Sequence, residues 1–411
     1  MFVELGVAGA VTYLYYRLFL NPKYYKYRYL IKDLSNNSSG FSNVSGKSIR
    51  FINYIDLGNT DRLIVNISKI VGYDDFIKKK DYLTSYFACK DIKFKKLDNA
   101  NIQIDLIYDY AKIGDYDVIP QREYEVFAGY NQKAEPILVN MNKFPHMVIG
   151  GQTCSGKSRF LMQLLTNLVC NCKDVELFLF QIRKSDLILF KDCKQTKAIA
   201  RNLEDSRDIL KYLNDIAIKR DSLIEKLTNK NILNIEDYNR YSKFNKMKYI
   251  YVVLDEFSFF NVDGADDKYT KALKREILAY IKHLAVSSRS LGIFIITSLQ
   301  KPTNSSLPSD IKSQLVTRIC FKMGDDAESI VVLGNANAVN LEQRKCIVRT
   351  NKEEVCSTAN IDIKIINNKI KDTIDKSKKY INFKKVNIDT KAKNINNDGV
   401  ISEENFKNAF K

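Results

Sequence analysis

The sequence predicts an α/β protein whose main domain is a parallel sheet flanked by helices and organised around a phosphate-binding loop. Three observations predict it. Residues 147–158, MVIGGQTCSGKS, set Gly151, Gly156, Lys157 and Ser158 in the G-x-x-x-x-G-K-[ST] spacing, between an apolar strand end and the helical run FLMQLLTNLV. From about 135 to 350, apolar strands alternate with helical stretches, the pattern of a parallel sheet. The strand KYIYVVLDEF (248–257) runs apolar into two carboxylates, Asp255 and Glu256.

The loop's residue types answer to its chemistry. Glycines let backbone N–H groups curl around an anion, and the helix that follows points its positive N-terminus at it. Lys157 is expected on the β/γ-phosphates, and the nucleotide against Gly151, Gln152, Thr153, Cys154, Ser155, Gly156, Lys157 and Ser158. This is the signature of a P-loop NTPase, with ATP and Mg²⁺ as the expected cofactors. Ser158 and Asp255 would hold the metal, and Glu256 would orient and polarise the attacking water. Strand ends often carry carboxylates, so Asp-Glu alone says little. About one hundred residues downstream of such a loop, in the same α/β pattern, it completes a site.

The remaining elements of this domain follow in order. VELFLFQ (175–181), GIFIITSLQ (292–300) and VTRICFKM (316–323) read as strands, and Leu203 to Leu227 and Tyr269 to Ser288 as helices. Continuous rather than alternating apolar strands imply that helices cover both sheet faces. Gln300 ends one strand, where it could touch the γ-phosphate or the water. Arg289, and secondarily Arg318, could reach a neighbouring subunit's phosphate.

A chain of 411 residues has room for two or three domains. Its formal charge of +17 favours nucleic acid or an anionic membrane surface as partner, against the plainer reading of a lysine-rich proteome. Eight cysteines without C-x-x-C pairs read as reduced, mostly buried thiols, and two histidines leave no basis for a histidine metal site. Residues 1–20 form an apolar run about long enough to span a bilayer, followed by lysines, arginine and tyrosines through residue 34. A membrane anchor with a basic, aromatic cytoplasmic flank is expected at 1–34. A Ser/Asn/Gly linker follows at 35–46, ending in a decoy, Gly46-Lys47-Ser48, that lacks both the first glycine and a strand.

Residues 48–134 are expected to form a small α+β domain, with Asp105, Asp109, Asp115 and Asp117 on a solvated acidic face or loop. The motor domain is expected at 135–360. Residues 361–411 hold 12 Lys against 7 Asp/Glu and are expected to be a basic, largely flexible tail. Its stretch 394–405 imitates a calcium loop but has Asn394 and Asn405 where carboxylates are needed.

These residues carry a resemblance. PHMVIGGQTCSGKS (145–158), YVVLDEF (251–257), RSLGIFIITSLQKP (289–302) and VTRICFKM resemble, in order, four motifs of the FtsK/SpoIIIE family of DNA-translocating ATPases, and the helix-loop around NILNIEDYNRY (231–241) is similar too. The resemblance covers roughly 135–350 and implies a RecA/FtsK-like fold. It further implies Mg-ATP-driven DNA translocation by a ring, expected to be a hexamer, that grips DNA through phosphates with weak sequence preference. It marks Gln300 as a sensor and Arg289 as a trans-acting or relay arginine.

Departures are visible. Cys154 stands where the family usually has glycine, and QIRKSDLILF (181–190) lacks its Asp-Pro-Lys. At most one membrane helix precedes the motor, and no winged-helix pattern follows it. The layout looks like the FtsK-like coupling ATPases of conjugative transposons and plasmids, which implies delivery of DNA to a membrane channel, with relaxosome or channel proteins as partners. The alternatives are a chromosome-partition, packaging or secretion ATPase of the same superfamily, or a non-hydrolysing, membrane-tethered DNA-binding adaptor.

Overall fold

The computed structural model describes residues 22–36, 41, 48–67, 71–109, 113–182, 186–242, 244–303, 305–381 and 383. The expected anchor at 1–20, Gly46 and Lys47 of the decoy, and the calcium-loop imitation at 394–405 lie outside the described residues. Among the described residues, no helix is long and apolar enough to cross a membrane. The chain divides into two units, 1–112 and 113–411.

In the first unit, helix α1 (Pro22–Asn36) is followed by strands β1 (Arg50–Asp56) and β2 (Thr60–Asn66). Two short helices, α2 (Tyr73–Lys78) and α3 (Lys80–Tyr86), precede β3 (Asp91–Lys96) and β4 (Asn101–Ile107). The strands form an antiparallel sheet in the order β1-β2-β4-β3. Tyr27, Ile31 and Leu34 recur at helical spacing and bury one face of α1 in a core with Leu63, Val65 and Ile104. The flank expected at a membrane surface therefore divides by face: Tyr27 is buried and donates from its hydroxyl to Asp61, while Tyr29 is exposed.

Of the four acidic residues, Asp109, Asp115 and Asp117 are exposed as expected, and Asp105 departs from expectation. Asp105 is buried on β4 and accepts from Arg62 Nε and Nη2 at 2.7 and 2.9 Å, a two-pronged ion pair rather than a solvated face. Asp109 pairs with Lys90, and Asp117 with Lys369.

The second unit opens with a hairpin, β5 (Glu125–Tyr130) and β6 (Pro136–Asn140), then β7 (Met147–Gly150) and helix α4 (Lys157–Asn171). Next come β8 (Val175–Phe180), β9 (Thr196–Ala200), α5 (Leu203–Glu225), α6 (Ile235–Tyr241) and β10 (Tyr249–Leu254). Then follow α7 (Lys268–Ser287), β11 (Ile293–Leu299), α8 (Ser309–Gln314), β12 (Thr317–Phe321), α9 (Asp326–Leu333), β13 (Lys345–Arg349), β14 (Glu353–Ser357) and α10 (Ile363–Ile370).

Ten strands form one sheet in the order β6-β5-β14-β13-β12-β7-β11-β10-β8-β9. From β12 to β9 all neighbours are parallel, and from β12 to β6 all are antiparallel. Ile149, Leu177, Tyr251 and Phe294 face one core with Phe160 and Leu164 of α4. Their neighbours Val148, Phe178, Ile250 and Ile295 face the other, with Leu213 of α5 and Ile281 of α7. Two covered faces are why these strands are apolar on both sides, save Glu176 of β8 and Thr297 and Ser298 of β11.

The expected boundary at 134/135 moves to 112/113. Val126, Phe127 and Ala128 of β5 are fully buried with Ile149 and Phe160, and Tyr130 pairs with Ser357 of β14, so the hairpin belongs to the large sheet.

The tail is likewise not flexible from 361. Asp362 caps α10 by accepting from Ile365 N–H at 2.8 Å, and Ile366 and Ile370 are buried in the motor's core. Beyond it, Lys378 Nζ donates to the carbonyls of Cys193 and Thr196, Ile381 N–H to Lys197 O, and Phe383 packs edge-on against Tyr212. A lysine- and asparagine-rich composition concealed a short apolar stripe at 363, 366 and 370.

His146 ties three strands together just before β7. Its backbone is left-handed (φ +57°), its carbonyl accepts from Thr317 N–H, and its Nδ1 accepts from Ile295 N–H at 3.0 Å. The ring is 1% exposed, and burial pushes its pKa down to about 4. A folded state that favours the neutral ring holds its full stability above the unfolded pKa and loses it as pH falls from 6.5 toward about 4. That loss amounts to about 3 kcal/mol. His146→Asn tolerates the left-handed backbone and does not titrate, so in urea titrations from pH 7 to pH 4 it should lose about 3 kcal/mol less than wild type. Equal losses would rule out a buried neutral histidine.

Candidate nucleotide site

The parallel register gathers the site at one edge. Gly150 at the end of β7 lies opposite Leu299 of β11 and Cys320 of β12, while Leu254 ends β10 beside Phe180 of β8. Whatever follows these strands meets at the carboxyl edge, where open α/β sheets bind ligands.

The loop leaves β7 through two ladder-like bonds, Gly151 N–H to Leu299 O at 3.2 Å and Gln152 N–H to Lys322 O at 3.1 Å. A Cβ on Gly151 would stand 2.6 Å from Ser155 Oγ and 2.8 Å from Phe321 Cβ, so only glycine fits there. Gly156 has φ +116°, a conformation that other residues rarely adopt, and α4 begins at Lys157 immediately after it. From behind, Gln343 Nε2 donates to Cys154 O, and Arg344 N–H donates to Ser155 O, both at 3.1 Å. With these carbonyls satisfied, the loop offers its amides and the α4 N-terminus to an anion.

Cys154 itself is left-handed, φ +64°, which accounts for the family's usual glycine at this place. The structure holds a non-glycine residue there at a cost of about 1–2 kcal/mol. Arg344, at φ +68°, carries the same strain on the other side of the contact.

The carboxylates close the site. Asp255 is held at the edge by its N–H to Phe180 O at 3.2 Å. Glu256, 9% exposed, brings Oε2 to 3.5 Å from Lys157 Nζ and accepts from Gln300 N–H at 3.1 Å. Its other oxygen, Oε1, accepts from Ser258 Oγ at 2.9 Å. Lys157 is 8% exposed, 3.4 Å from Ser298 Oγ, and the Ser298 hydroxyl donates to Asp255 O. Burial pushes the lysine's pKa down, opposed by the Glu256 and Asp255 carboxylates.

The structure thus brings together the loop, Ser158 on the first turn of α4, Asp255, Glu256 and the backbone of Gln300. It does not bring Arg289. That residue lies before β11, its Nε 3.4 Å from Asn142 O, with the seven-residue strand between it and the loop, roughly 20 Å away. Arg318 is engaged with the carbonyls of Leu315 and Val332. Sequence reasoning missed Ser258, Ser298, Gln343 and Arg344. Only Ser298 carried a signal, as a small polar residue near the end of an apolar strand.

The residues fit Mg-ATP. The Ser158 hydroxyl and Asp255 carboxylate are hard oxygen donors of the kind Mg²⁺ takes alongside substrate phosphates and water. Ser155 Oγ is buried in the loop, against the Gly151 cradle, with no hydrogen-bond partner among the described residues. Strand, glycine loop, helix N-terminus, buried lysine and paired carboxylates at one sheet edge define a P-loop ATPase.

The chain belongs to the FtsK/SpoIIIE family, whose model matches residues 121–346, more than half its length. DNA translocase SpoIIIE of Bacillus subtilis is 23% identical over 301 residues, 67% of this chain and 36% of that protein. DNA translocase FtsK of Sporosarcina ureae is 24% identical over 233 residues, 54% of this chain and 28% of that protein. The chain therefore spans about a third of the length of the curated relatives it matches. Among solved structures, the pCW3 conjugation coupling protein TcpA, a monomer with ATPγS, is similar in fold (TM-score 0.60, 22% identity, 84% of this chain and 98% of that one). The cytoplasmic domain of the Thermomonospora curvata type VII secretion ATPase EccC is similar over 65% of this chain and 33% of its own (TM-score 0.52, 19% identity).

Two predictions follow from the geometry. Glu256→Gln removes the counter-charge of a buried ammonium, so the nucleotide-free protein should lose about 2 kcal/mol in denaturant unfolding. Saturating ATPγS should restore most of it, and an equal nucleotide-induced gain in wild type and variant would rule out this pairing. Cys154→Gly relieves left-handed strain and should leave stability unchanged or raise it by up to about 1 kcal/mol. Cys154→Val, β-branched at positive φ, should lose about 2 kcal/mol by the same measurement.

Proposed function

We propose that the protein is a Mg-ATP-driven DNA translocase, a coupling ATPase that moves DNA to a membrane channel during conjugative transfer. The observation that carries the enzymatic part is the buried Lys157 ammonium 3.5 Å from the Glu256 carboxylate, at the foot of the glycine loop. Lys157 exchanges that carboxylate for the β/γ-phosphates when nucleotide binds, and Glu256, released from the ammonium, orients and polarises the attacking water. Ser158 and Asp255 would hold Mg²⁺, and the metal would supply neutralisation of the phosphate charge. Gln300, whose backbone is tied to Glu256, reports the state of the γ-phosphate to β11.

The cargo is argued from different features. The relatives named above are DNA translocases, and a charge of +17 suits a track of phosphates. The likeness to a conjugation coupling protein spans 84% of this chain and supports the conjugative role. Arg289 lies at the sheet edge opposite the loop, so it acts in trans, as a subunit of a ring, expected to be hexameric, would present it. Residues 1–20 anchor the chain at the cytoplasmic face of the cell membrane, near channel or relaxosome proteins. The second reading, protein secretion, draws on the likeness to EccC.

ATP hydrolysis by wild type, Lys157→Ala and Glu256→Gln, with single- and double-stranded DNA across 50–200 mM salt, separates these readings. DNA should stimulate wild type at low salt, with stimulation falling by about tenfold or more across the series. Both variants should lose about 100-fold or more. Hydrolysis indifferent to DNA would overturn the translocase reading, and variants as active as wild type would overturn the site.

A further inference from the structure

We propose that Ser258 is a positioning residue for hydrolysis, which holds the Glu256 carboxylate in place while Lys157 moves between carboxylate and phosphates. The inference rests on the ATPase reading above. Among the described residues three donors reach Glu256, and they divide between its oxygens. Lys157 Nζ and Gln300 N–H are at Oε2, at 3.5 and 3.1 Å, and Ser258 Oγ is at Oε1, at 2.9 Å. A carboxylate fixed through one oxygen can turn about its last torsion, whereas one held through both has a fixed plane.

The loss of one donor is built into the cycle. Lys157 cannot serve both the phosphates and Glu256, so nucleotide binding withdraws the one charged partner. Two neutral bonds are then left. Gln300 N–H holds Oε2, and without Ser258 the carboxylate could rotate around that bond and follow the ammonium, away from the water. The Ser258 bond to Oε1 prevents this and leaves the second lone pairs of both oxygens for water.

Ser258 can do this because its turn is rigid. It sits in a single 3-10 turn, Phe257–Phe260, whose two end residues are buried at 0% and 1% exposure. Phe260 packs edge-on against Phe180 of β8. Asn261 N–H donates to Ser258 O, and Asn261 Nδ2 donates to Ser306 O. The Ser258 side chain itself is exposed and belongs to neither core. Its substitution therefore removes a hydroxyl without opening a cavity.

Steady-state ATP hydrolysis by the full chain, with ATPγS affinity and melting temperature measured alongside, tests the proposal on Ser258→Ala and Ser258→Thr. Ser258→Ala should lower kcat by about 3- to 10-fold, the net worth of one typical hydrogen bond, with KM, ATPγS affinity and melting temperature as in wild type. Ser258→Thr, which keeps the hydroxyl, should return kcat to within about twofold of wild type. An unchanged kcat in Ser258→Ala overturns the proposal. So does a fall in kcat matched by losses of ATPγS affinity or melting temperature, or one that threonine does not rescue. The ATPase reading is judged separately: it fails if wild type does not hydrolyse ATP or if Glu256→Gln is as active as wild type, whatever Ser258 does.

Discussion

The nucleotide site is governed by the burial of one ammonium. Lys157 is 8% exposed at the mouth of a sheet whose strands are apolar on both faces, where an isolated charge would cost several kcal/mol. It is tolerable because Glu256 stands 3.5 Å away and Ser298 supports it from the adjacent strand. On the function proposed above, the counter-charge of the nucleotide-free protein would become the water-orienting carboxylate once phosphates replace it, so stability and turnover would draw on the same pair. The parallel register makes the meeting possible, since β7, β10 and β11 all end at one edge.

Support for the site comes from the antiparallel side of the sheet as well. Gln343 and Arg344, just before β13, take the carbonyls of Cys154 and Ser155, and Thr358, just after β14, donates to Arg344 O. Strained Cys154 is thereby held by Gln343, and the strained Arg344 next to it holds Ser155. At the opposite edge of the sheet, His146 binds β7 to β11 and β12 before the loop begins. The loop is thus anchored at its root by a contact 149 residues away in sequence and at its crown by one 189 residues away.

Much of this was legible beforehand, for a physical reason. A strand covered on both faces must be apolar throughout, and a phosphate loop must have glycine where backbone crowds or turns left-handed. VELFLFQ, KYIYVVL and GIFIITSL became β8, β10 and β11 within a residue or two, and Gly151, Gly156 and Lys157 stand where their spacing put them. What misled was composition. The basic tail reads as flexible because lysine and asparagine dominate it, yet Ile366, Ile370 and Phe383 pack against the motor. The tyrosines after residue 22 read as a membrane belt, yet Tyr27 turns inward to Asp61. Asp105 reads as solvated, yet it meets Arg62 across the strand pair.

The sequence by itself determined the class of fold, the phosphate loop and its two carboxylates, and through them the family, because these depend on residue type at short spacing. The tertiary structure alone decided which donors surround Glu256, why a cysteine can replace a glycine at 154, that Arg289 stands at the far edge from the loop, and that β5 and β6 belong to the large sheet. Each of those depends on contacts between segments distant in the chain. Hydrogen-bond geometry and the exclusion of water arise only when those segments are packed together, and no local pattern of residues records them.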